Sequence, residues 1–283
     1  MNPRRELTSI VVHVDASPAT ESRIAAAHEL AALHGADLDA VFGGGTGAFD
    51  LPFAMAEGAA AALPALLALC AERQQAARAM FDRAGRNGST TMRWVELVGE
   101  PLVSGFAARA FLADLIVVGQ PDPDALGSLG VPAQFVASVL IASGRPALVV
   151  PRTVRGAGRI ARQPLIAWKP SREAARAVAG ALPLLRRAER LHVTGQPSLR
   201  DASPPSIELE RFLRRHGVEV PIEHHESVPD AQAGCGLLAM AQRCGADLLV
   251  MGCYGHSRAR ELVLGGASRT VLADMTIDVL MAH

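Results

Sequence analysis

Four glycines near the C-terminus have the spacing of a loop that could wrap around an anion. Gly252, Gly255, Gly265 and Gly266 follow the apolar run 246–251, whose composition predicts a buried strand. Because glycine has no Cβ, it can turn the chain with positive φ and bring backbone N–H groups close to a phosphate. Glycines after a strand are also ordinary turn residues. The order of strand, glycine turn and following helix nevertheless predicts an anion site here.

Other residues with chemical potential allow several interpretations. Cys253 lies beside this turn and close to Arg258, so a helix N-terminus and a cation could favour its thiolate; a buried structural thiol is the default alternative. His224 and His225 are adjacent on a predicted strand and therefore point to opposite faces, so they cannot chelate one ion together. No catalytic constellation and no metal site are predicted from these residues.

The elements that position the glycines alternate between apolar strands and helices. In the first half, strands are predicted near 8–14, 38–42, 91–97, 114–119 and 147–151, with helices near 18–34, 57–86, 101–112 and 132–143. In the second half, strands are predicted near 164–168, 190–194, 218–225, 247–252 and 278–282. This alternation predicts an α/β protein with two tandem open five-stranded parallel sheets, covered by helices on both faces in a Rossmann-like manner.

The two halves repeat each other. Residues 113–119 read Ala-Asp-Leu-Ile-Val-Val-Gly and residues 246–252 read Ala-Asp-Leu-Leu-Val-Met-Gly. The predicted domains are 1–152 and 160–283, joined by an Arg- and Gly-rich linker, and the first half carries an insertion that we place between Gly43 and Ala62.

Composition excludes several partners. The chain has 283 residues with 28 basic and 28 acidic side chains, so its formal net charge of zero gives no field that would attract nucleic acid or an anionic membrane. The longest apolar stretch, Ala59 to Ala71, contains Pro64 and is shorter than the roughly 18 residues of a spanning helix. The first residues do not suit a signal peptide, and the four cysteines form no Cys-x-x-Cys pair. A cytoplasmic protein is expected.

Together, the duplication and the Gly-x2-Gly-x9-Gly spacing resemble the universal stress protein family in its tandem two-domain form. The resemblance implies a stress-response regulator, and in many members ATP binding, which Mg²⁺ could accompany. Val193 would lie against the adenine. The residues that occupy the family's phosphate and ribose loop are Met251, Gly252, Gly255, Gly265, Gly266, Ala267 and Ser268.

This sequence departs from the family pattern in both halves. Gly266 stands where the family has Ser or Thr, and Lys169 stands where an Asp ends the first strand. Lys169 could reach a phosphate, or it could fill the vacated position with its own charge. The first half keeps its Asp as Asp15, but Asp122 replaces a loop glycine and would repel a triphosphate. The first domain is therefore expected to be degenerate and the second to hold the nucleotide.

Two functions from different classes remain open at this stage. The first is a tandem universal stress protein that binds an adenine nucleotide in its C-terminal domain; the alternative is a structural or partner-binding module of the same fold without nucleotide. Enzymatic activity is uncertain and would be at most slow ATP hydrolysis, for which Glu261 and His256 are the only candidates. The two domains are expected to pair through the edge strands ending at Val150 and Met281, and a homodimer is a further possibility.

Overall fold

The protein divides into two compact units, Met1–Ser143 and Gly144–His283. The structure, a computed structural model, describes residues 6–43, 59–87, 90–122, 131–153, 160–195, 205–229, 232–253 and 266–283. Each unit alternates strands and helices, and the mostly parallel α/β architecture predicted from the sequence is confirmed.

The N-terminal unit is a parallel sheet with the strand order β3-β2-β1-β4. Its elements are β1 (Ser9–Val14), α1 (Ala19–His34), β2 (Asp37–Phe42), α2 (Ala59–Asn87), β3 (Met92–Glu96), α3 (Leu102–Ala110), β4 (Leu115–Gly119) and α4 (Phe135–Ser143). Consecutive β1 residues from Ile10 to Val14 are all buried, which requires cover on both faces of the sheet. Much of the predicted insertion between Gly43 and Ala62 lies outside the described residues.

The C-terminal unit has six strands in the order β5-β10-β9-β6-β7-β8. Its elements are β5 (Ala147–Val150), β6 (Pro164–Trp168), α5 (Arg172–Leu185), β7 (Leu191–Gly195), α6 (Pro205–Arg215), β8 (Ile222–His225), α7 (Ala233–Arg243), β9 (Leu248–Gly252), α8 (Gly266–Asp274) and β10 (Asp278–Ala282). Among these described strands only the β5–β10 pair is antiparallel; the others pair in parallel.

The strand β5 belongs to the C-terminal unit and not to the half of the sequence that precedes it. Val149 pairs with Val279 and Leu148 with Leu280, so the strands that end at Val150 and Met281 meet as the sequence predicts. This β5–β10 pairing is antiparallel. All four residues of β5 are apolar and buried.

The boundary between the units differs from the one that composition suggested. Ile160 and Ala161 are buried, although the segment from Pro151 to Gln163 was expected to contribute little to a core. Arg162 forms a bidentate ion pair with Glu189, which fixes the entry into β6. The division into 1–152 and 160–283 stays a proposal; it would separate β5 from its partner β10.

The repeated Ala-Asp motif has the same structural role in both units. Asp114 accepts hydrogen bonds from the backbone N–H groups of Thr8 and Ser9, immediately before and at the start of β1. Asp247 accepts from the N–H groups of Arg162 and Gln163, immediately before β6. Each carboxylate therefore ties two backbone donors at the beginning of the neighbouring strand. Within the described part of the chain, no helix is both long and apolar enough to cross a membrane.

Candidate functional site

The candidate site lies at the carboxyl edge of the C-terminal sheet, where β6, β7 and β9 end. Ala167 of β6 is in register with Met251 of β9, and Trp168 is in register with Gly195 of β7. Because β9 and β10 are parallel, the connection between them must run back, and α8 begins at this same edge. Open α/β sheets bind their ligands at such an edge.

Gly252 is required by the close approach of a helix. A Cβ at this position would lie 2.7 Å from the carbonyl carbon of Glu173 and closer still to the backbone nitrogen of Ala174. The helix α5 begins there, capped by Ser171, whose Oγ accepts the N–H of Ala174 at 3.2 Å. The absent side chain therefore admits the first turn of α5 over the end of β9, a packing role that the phosphate interpretation did not include.

The register separates two of the predicted ligand contacts. Val193 pairs with Ile166, whereas Met251 pairs with Ala167, the next residue along β6. Since successive strand residues point to opposite faces, the side chains of Val193 and Met251 lie on opposite sides of the sheet. Val193 is buried two residues before the strand ends, and Gly195 is the β7 residue that reaches the edge.

At the start of α8, a Cβ built on Gly266 would meet no atom of the described residues within 4 Å. Ala267 is half-buried and Ser268 is buried. Lys169, which follows β6, is exposed. The remaining predicted loop residues lie outside the described part of the chain; they are Gly255, His256, Arg258, Glu261 and Gly265.

Cys253 is a structural thiol. It is 1% exposed, and its Sγ donates to the carbonyl oxygen of Ala282 at 3.2 Å. Burial, followed by the charge of Glu173, raises the pKa of this thiol far above its usual range. The hypothesis that the helix N-terminus would favour its thiolate was wrong, because loss of solvent outweighs any field from the helix. All four cysteines are free.

The corresponding edge of the N-terminal unit is filled by the protein's own side chains. Arg23 of α1 is 3% exposed, and its Nη2 donates to Asp15 Oδ1 at 2.7 Å. Its Nη1 lies 3.1 Å from His13 Nδ1, which must therefore carry the lone pair. A Cβ on Gly119, at the end of β4, would lie 2.8 Å from Arg23 Nη1. The guanidinium thus covers the glycine that ends this strand.

The charges of this cluster are fixed by burial and pairing. Burial alone would raise the pKa of Asp15, but the charge and hydrogen bond of Arg23 outweigh it, with help from Ser17, and the pKa lies well below its usual range. Burial, aided by the charge of Arg23, lowers the pKa of His13 to about 3. The cluster is therefore one carboxylate, one guanidinium and one neutral imidazole at neutral pH.

Sequence reasoning missed both Arg23 and a second cluster on the C-terminal sheet. Arg23 carried a signal, since it lies in α1 one residue before the buried Ile24 and eight after Asp15, on the apolar side of a helix. His225 points away from His224 as predicted, yet its Nε2 lies 2.9 Å from Nδ1 of His192. Only the β7–β8 register brings these two rings together, and no pattern within one strand reveals it.

The comparisons with known proteins agree with this architecture. Residues 157–283 match the model of the universal stress protein family. A universal stress protein from Archaeoglobus fulgidus DSM 4304 is similar at 16% identity and a TM-score of 0.64, covering 97% of this chain and 95% of that chain. A functionally unknown protein from Pseudomonas aeruginosa PAO1 is similar at 17% identity and a TM-score of 0.57, covering 99% and 94%. No curated protein sequence matches.

These observations define the class of the protein, a mostly parallel α/β fold. Its C-terminal half, residues 157–283, is a universal stress protein domain. The structural likeness covers nearly all of the chain and shows the same fold in both halves, so the resemblance to the tandem form is confirmed.

Proposed function

We propose that this protein is a stress-response regulator that binds one adenine nucleotide, such as ATP, at the carboxyl edge of its C-terminal domain. The observation that carries the proposal is the contrast between the two strand-end edges. In the N-terminal unit the edge is occupied by the buried Arg23–Asp15 pair. In the C-terminal unit α8 begins at Gly266, and no atom of the described residues lies within 4 Å of a Cβ built there.

Backbone donors at the start of α8 support this proposal. The first N–H groups of a helix have no partner within the helix, and its dipole favours a negative charge nearby. Gly266, Ala267 and Ser268 form that first turn. Gly252 ends β9 and Gly266 begins α8, so the segment that joins them starts and ends at the same edge of the sheet. Phosphates placed there would accept from the first turn of α8.

Lys169 is the side chain that we assign to the phosphates. It is exposed and follows the last residue of β6, the strand adjacent to β9. A cation at this position would attract the negatively charged phosphates, which the Asp that the family has here would repel. Magnesium would enter with the nucleotide and be held mainly by phosphate oxygens, because the carboxylate of Glu173 is already paired with Arg172.

Calorimetric titration of ATP and ADP into the full chain tests the proposal. Saturable binding with one site per chain is expected, together with loss of binding in Gly265→Asp, which places a carboxylate in the phosphate loop. Asn87→Asp, a helix-end change in the N-terminal unit, serves as the matched control for added negative charge. Absence of saturable binding, or binding unchanged in Gly265→Asp, contradicts the proposal.

The second candidate is a partner-binding module without nucleotide. It is favoured by Lys169 in place of the family Asp and by the tight contact of α5 on Gly252, which leaves no room beside that residue. Mass spectrometry of the extract from freshly purified protein separates the two. Stoichiometric adenine nucleotide supports the first function, and its absence together with a flat titration supports the second. We place the protein in the cytoplasm, where its four free thiols stay reduced.

A further inference from the structure

A group of metal-ligating side chains lies on the C-terminal sheet in residues that the nucleotide proposal does not use. His192 is on β7, His225 ends β8, and Cys244 directly follows α7. One ligand atom from each lies within 4.8 Å of the others. His192 is in register with Glu223, so His225, two residues further along β8, lies on the same face of the sheet.

The imidazole of His192 is almost completely buried. This side chain is 3% exposed, and its Nε2 is buried with no hydrogen-bond partner among the described residues. Its Nδ1 lies 2.9 Å from His225 Nε2 and 3.4 Å from Glu223 Oε2. Nδ1 is therefore the His192 nitrogen that faces the other candidate ligands. His225 and Cys244 are partly exposed, which leaves a route from solvent.

We propose that His192, His225 and Cys244 bind a zinc-class divalent metal ion, with Glu223 or a water molecule as fourth ligand. Two imidazoles and one thiolate form the nitrogen and sulfur set that Zn²⁺ prefers over the oxygen sets of Mg²⁺ and Ca²⁺. In a tetrahedral site with Zn–N bonds of about 2.0 Å, two nitrogens lie about 3.3 Å apart. The two rings therefore need to separate by only about 0.4 Å.

Binding requires the ligands in their unprotonated forms. Burial lowers the pKa of His192, which keeps its imidazole neutral at neutral pH. Burial raises the pKa of the Cys244 thiol, whose Sγ faces the carbonyl oxygen of Ala241 at 3.6 Å. The metal ion must therefore displace the thiol proton to solvent as the metal–sulfur bond forms. Glu223 also pairs with Arg190, which orients its other oxygen toward His192.

The alternative to a bound metal ion is a direct hydrogen bond between the two imidazoles. One neutral ring would donate to the other at 2.9 Å, and Cys244 would then have no role. The two accounts differ in the sulfur: only a bound metal ion involves Cys244. The test is therefore built on a signal from the metal–sulfur bond.

The experiment is a titration of the tag-free, chelator-stripped full chain with Co²⁺, followed by displacement with Zn²⁺ in the presence of a chromophoric chelator. Expected results are one thiolate-to-cobalt charge-transfer band, saturation at one ion per chain, and Zn²⁺ displacement of the cobalt. Cys244→Ser should abolish the band, and His225→Asn should weaken Zn²⁺ binding by more than the roughly 10- to 100-fold that loss of an outer-shell partner costs.

Two matched controls lie beside the site. Cys235→Ser changes an exposed thiol on α7, and His224→Asn changes the neighbouring β8 ring that faces Glu210; both should leave the band unchanged. Lack of a cobalt–thiolate band in the wild-type chain overturns the proposal whether or not the variants fold. A band that persists in Cys244→Ser, in protein whose circular dichroism matches wild type, also overturns it.

Discussion

At the residue scale, the two halves differ in what occupies their strand-end edge. The Asp15 that sequence resemblance associates with a nucleoside is bonded instead to Arg23, Ser17 and Thr20. All three bonds are accepted by Asp15 Oδ1, so this oxygen has little capacity left for a ligand. The expectation that the first domain is degenerate rested on Asp122 in its loop, and Arg23 supplies a second and more direct physical reason for it.

Removing Arg23 should destabilise the N-terminal unit strongly. In Arg23→Met the carboxylate of Asp15 keeps its position without its buried counter-charge, and loss of one partner of a buried pair costs about 3–5 kcal/mol. Urea unfolding of the full chain, followed by tryptophan fluorescence, gives the free energy of unfolding. Trp94 reports on this unit.

The matched control for Arg23 is a surface ion pair in the same unit. Arg93 pairs with Asp39, and its side chain is 73% exposed. Arg93→Met should leave the free energy of unfolding nearly unchanged, because solvent screens an exposed ion pair. Equal losses of unfolding free energy in Arg23→Met and Arg93→Met would contradict the larger contribution assigned to the buried pair.

His13 should make the stability of the N-terminal unit depend on pH. Its folded pKa of about 3 lies below the ordinary 6.5, so between these values the unfolded chain binds a proton that the folded chain does not. Stability is therefore full above about pH 6.5 and falls as the pH is lowered toward 3, by an amount on the order of 4 kcal/mol. Asp15, whose pKa is lowered, adds its own loss as the pH falls below 3.8, the ordinary value for this carboxyl.

The comparison that isolates this effect uses His13→Leu, which fits the aromatic contacts with Phe106 and Phe135. The unfolding free energy of wild type minus that of His13→Leu should fall as the pH is lowered from 6.5 to 4, because only wild type carries the buried imidazole. Parallel stability profiles over this range would mean that His13 is not held neutral by the fold.

At the element scale, the contact between α5 and β9 fixes the shape of the proposed site. Gly252 admits the backbone of Glu173 and Ala174, and no flexible side chain there can move aside. Gly252→Ala should therefore force α5 from the sheet and cost about 1–3 kcal/mol. It should also weaken any nucleotide binding at this edge, since α5 and the glycine segment share it.

Gly266→Ala is the matched glycine change for this element. None of the residues that the structure describes lies within 4 Å of the added Cβ, and helix formation favours Ala over Gly by up to about 1 kcal/mol. Chemical denaturation should therefore show a lower free energy of unfolding for Gly252→Ala and a higher one for Gly266→Ala than for wild type. A neutral Gly252→Ala variant would contradict the packing role assigned to Gly252.

The sequence predicted the elements better than their partners. Periodicity and apolar runs placed the strands of both halves and the helices of the first half within a few residues. A short run such as Ile10 to Val14, buried at every position, is typical of a strand covered on both faces. Register was harder: the antiparallel direction of the β5–β10 pair and the meeting of His192 with His225 depend on how strands align. Periodicity within one segment carries no information about register, so these contacts required coordinates.

At the scale of the whole molecule, β5 decides where the C-terminal unit begins. Leu148, Val149 and Val150 are at most 1% exposed, and the strand pairs with β10. A fragment 144–283 should fold, whereas fragments 152–283 and 160–283 should be less stable by about 3 kcal/mol or more and should aggregate through the bare β10 edge. Urea unfolding and light scattering provide the measurement.

The two shorter fragments serve as controls for each other. They share the loss of β5 and differ by residues 152–159, so similar stability assigns the effect to the strand. If 160–283 matches 144–283, the division into 1–152 and 160–283 is the better description of the domains and the pairing of β5 is dispensable.

Across the whole chain, only one of the two strand-end edges is proposed to bind a ligand. Arg23 covers Gly119 at the N-terminal edge, whereas at the C-terminal edge no described atom lies within 4 Å of a Cβ on Gly266. A crystal structure of the full chain, purified without added ligand and then soaked with ATP and Mg²⁺, tests this claim most directly. Nucleotide density is expected beside Gly265 and the first turn of α8, and none beside Gly119. Density beside Gly119, or at neither edge after the soak, would contradict it.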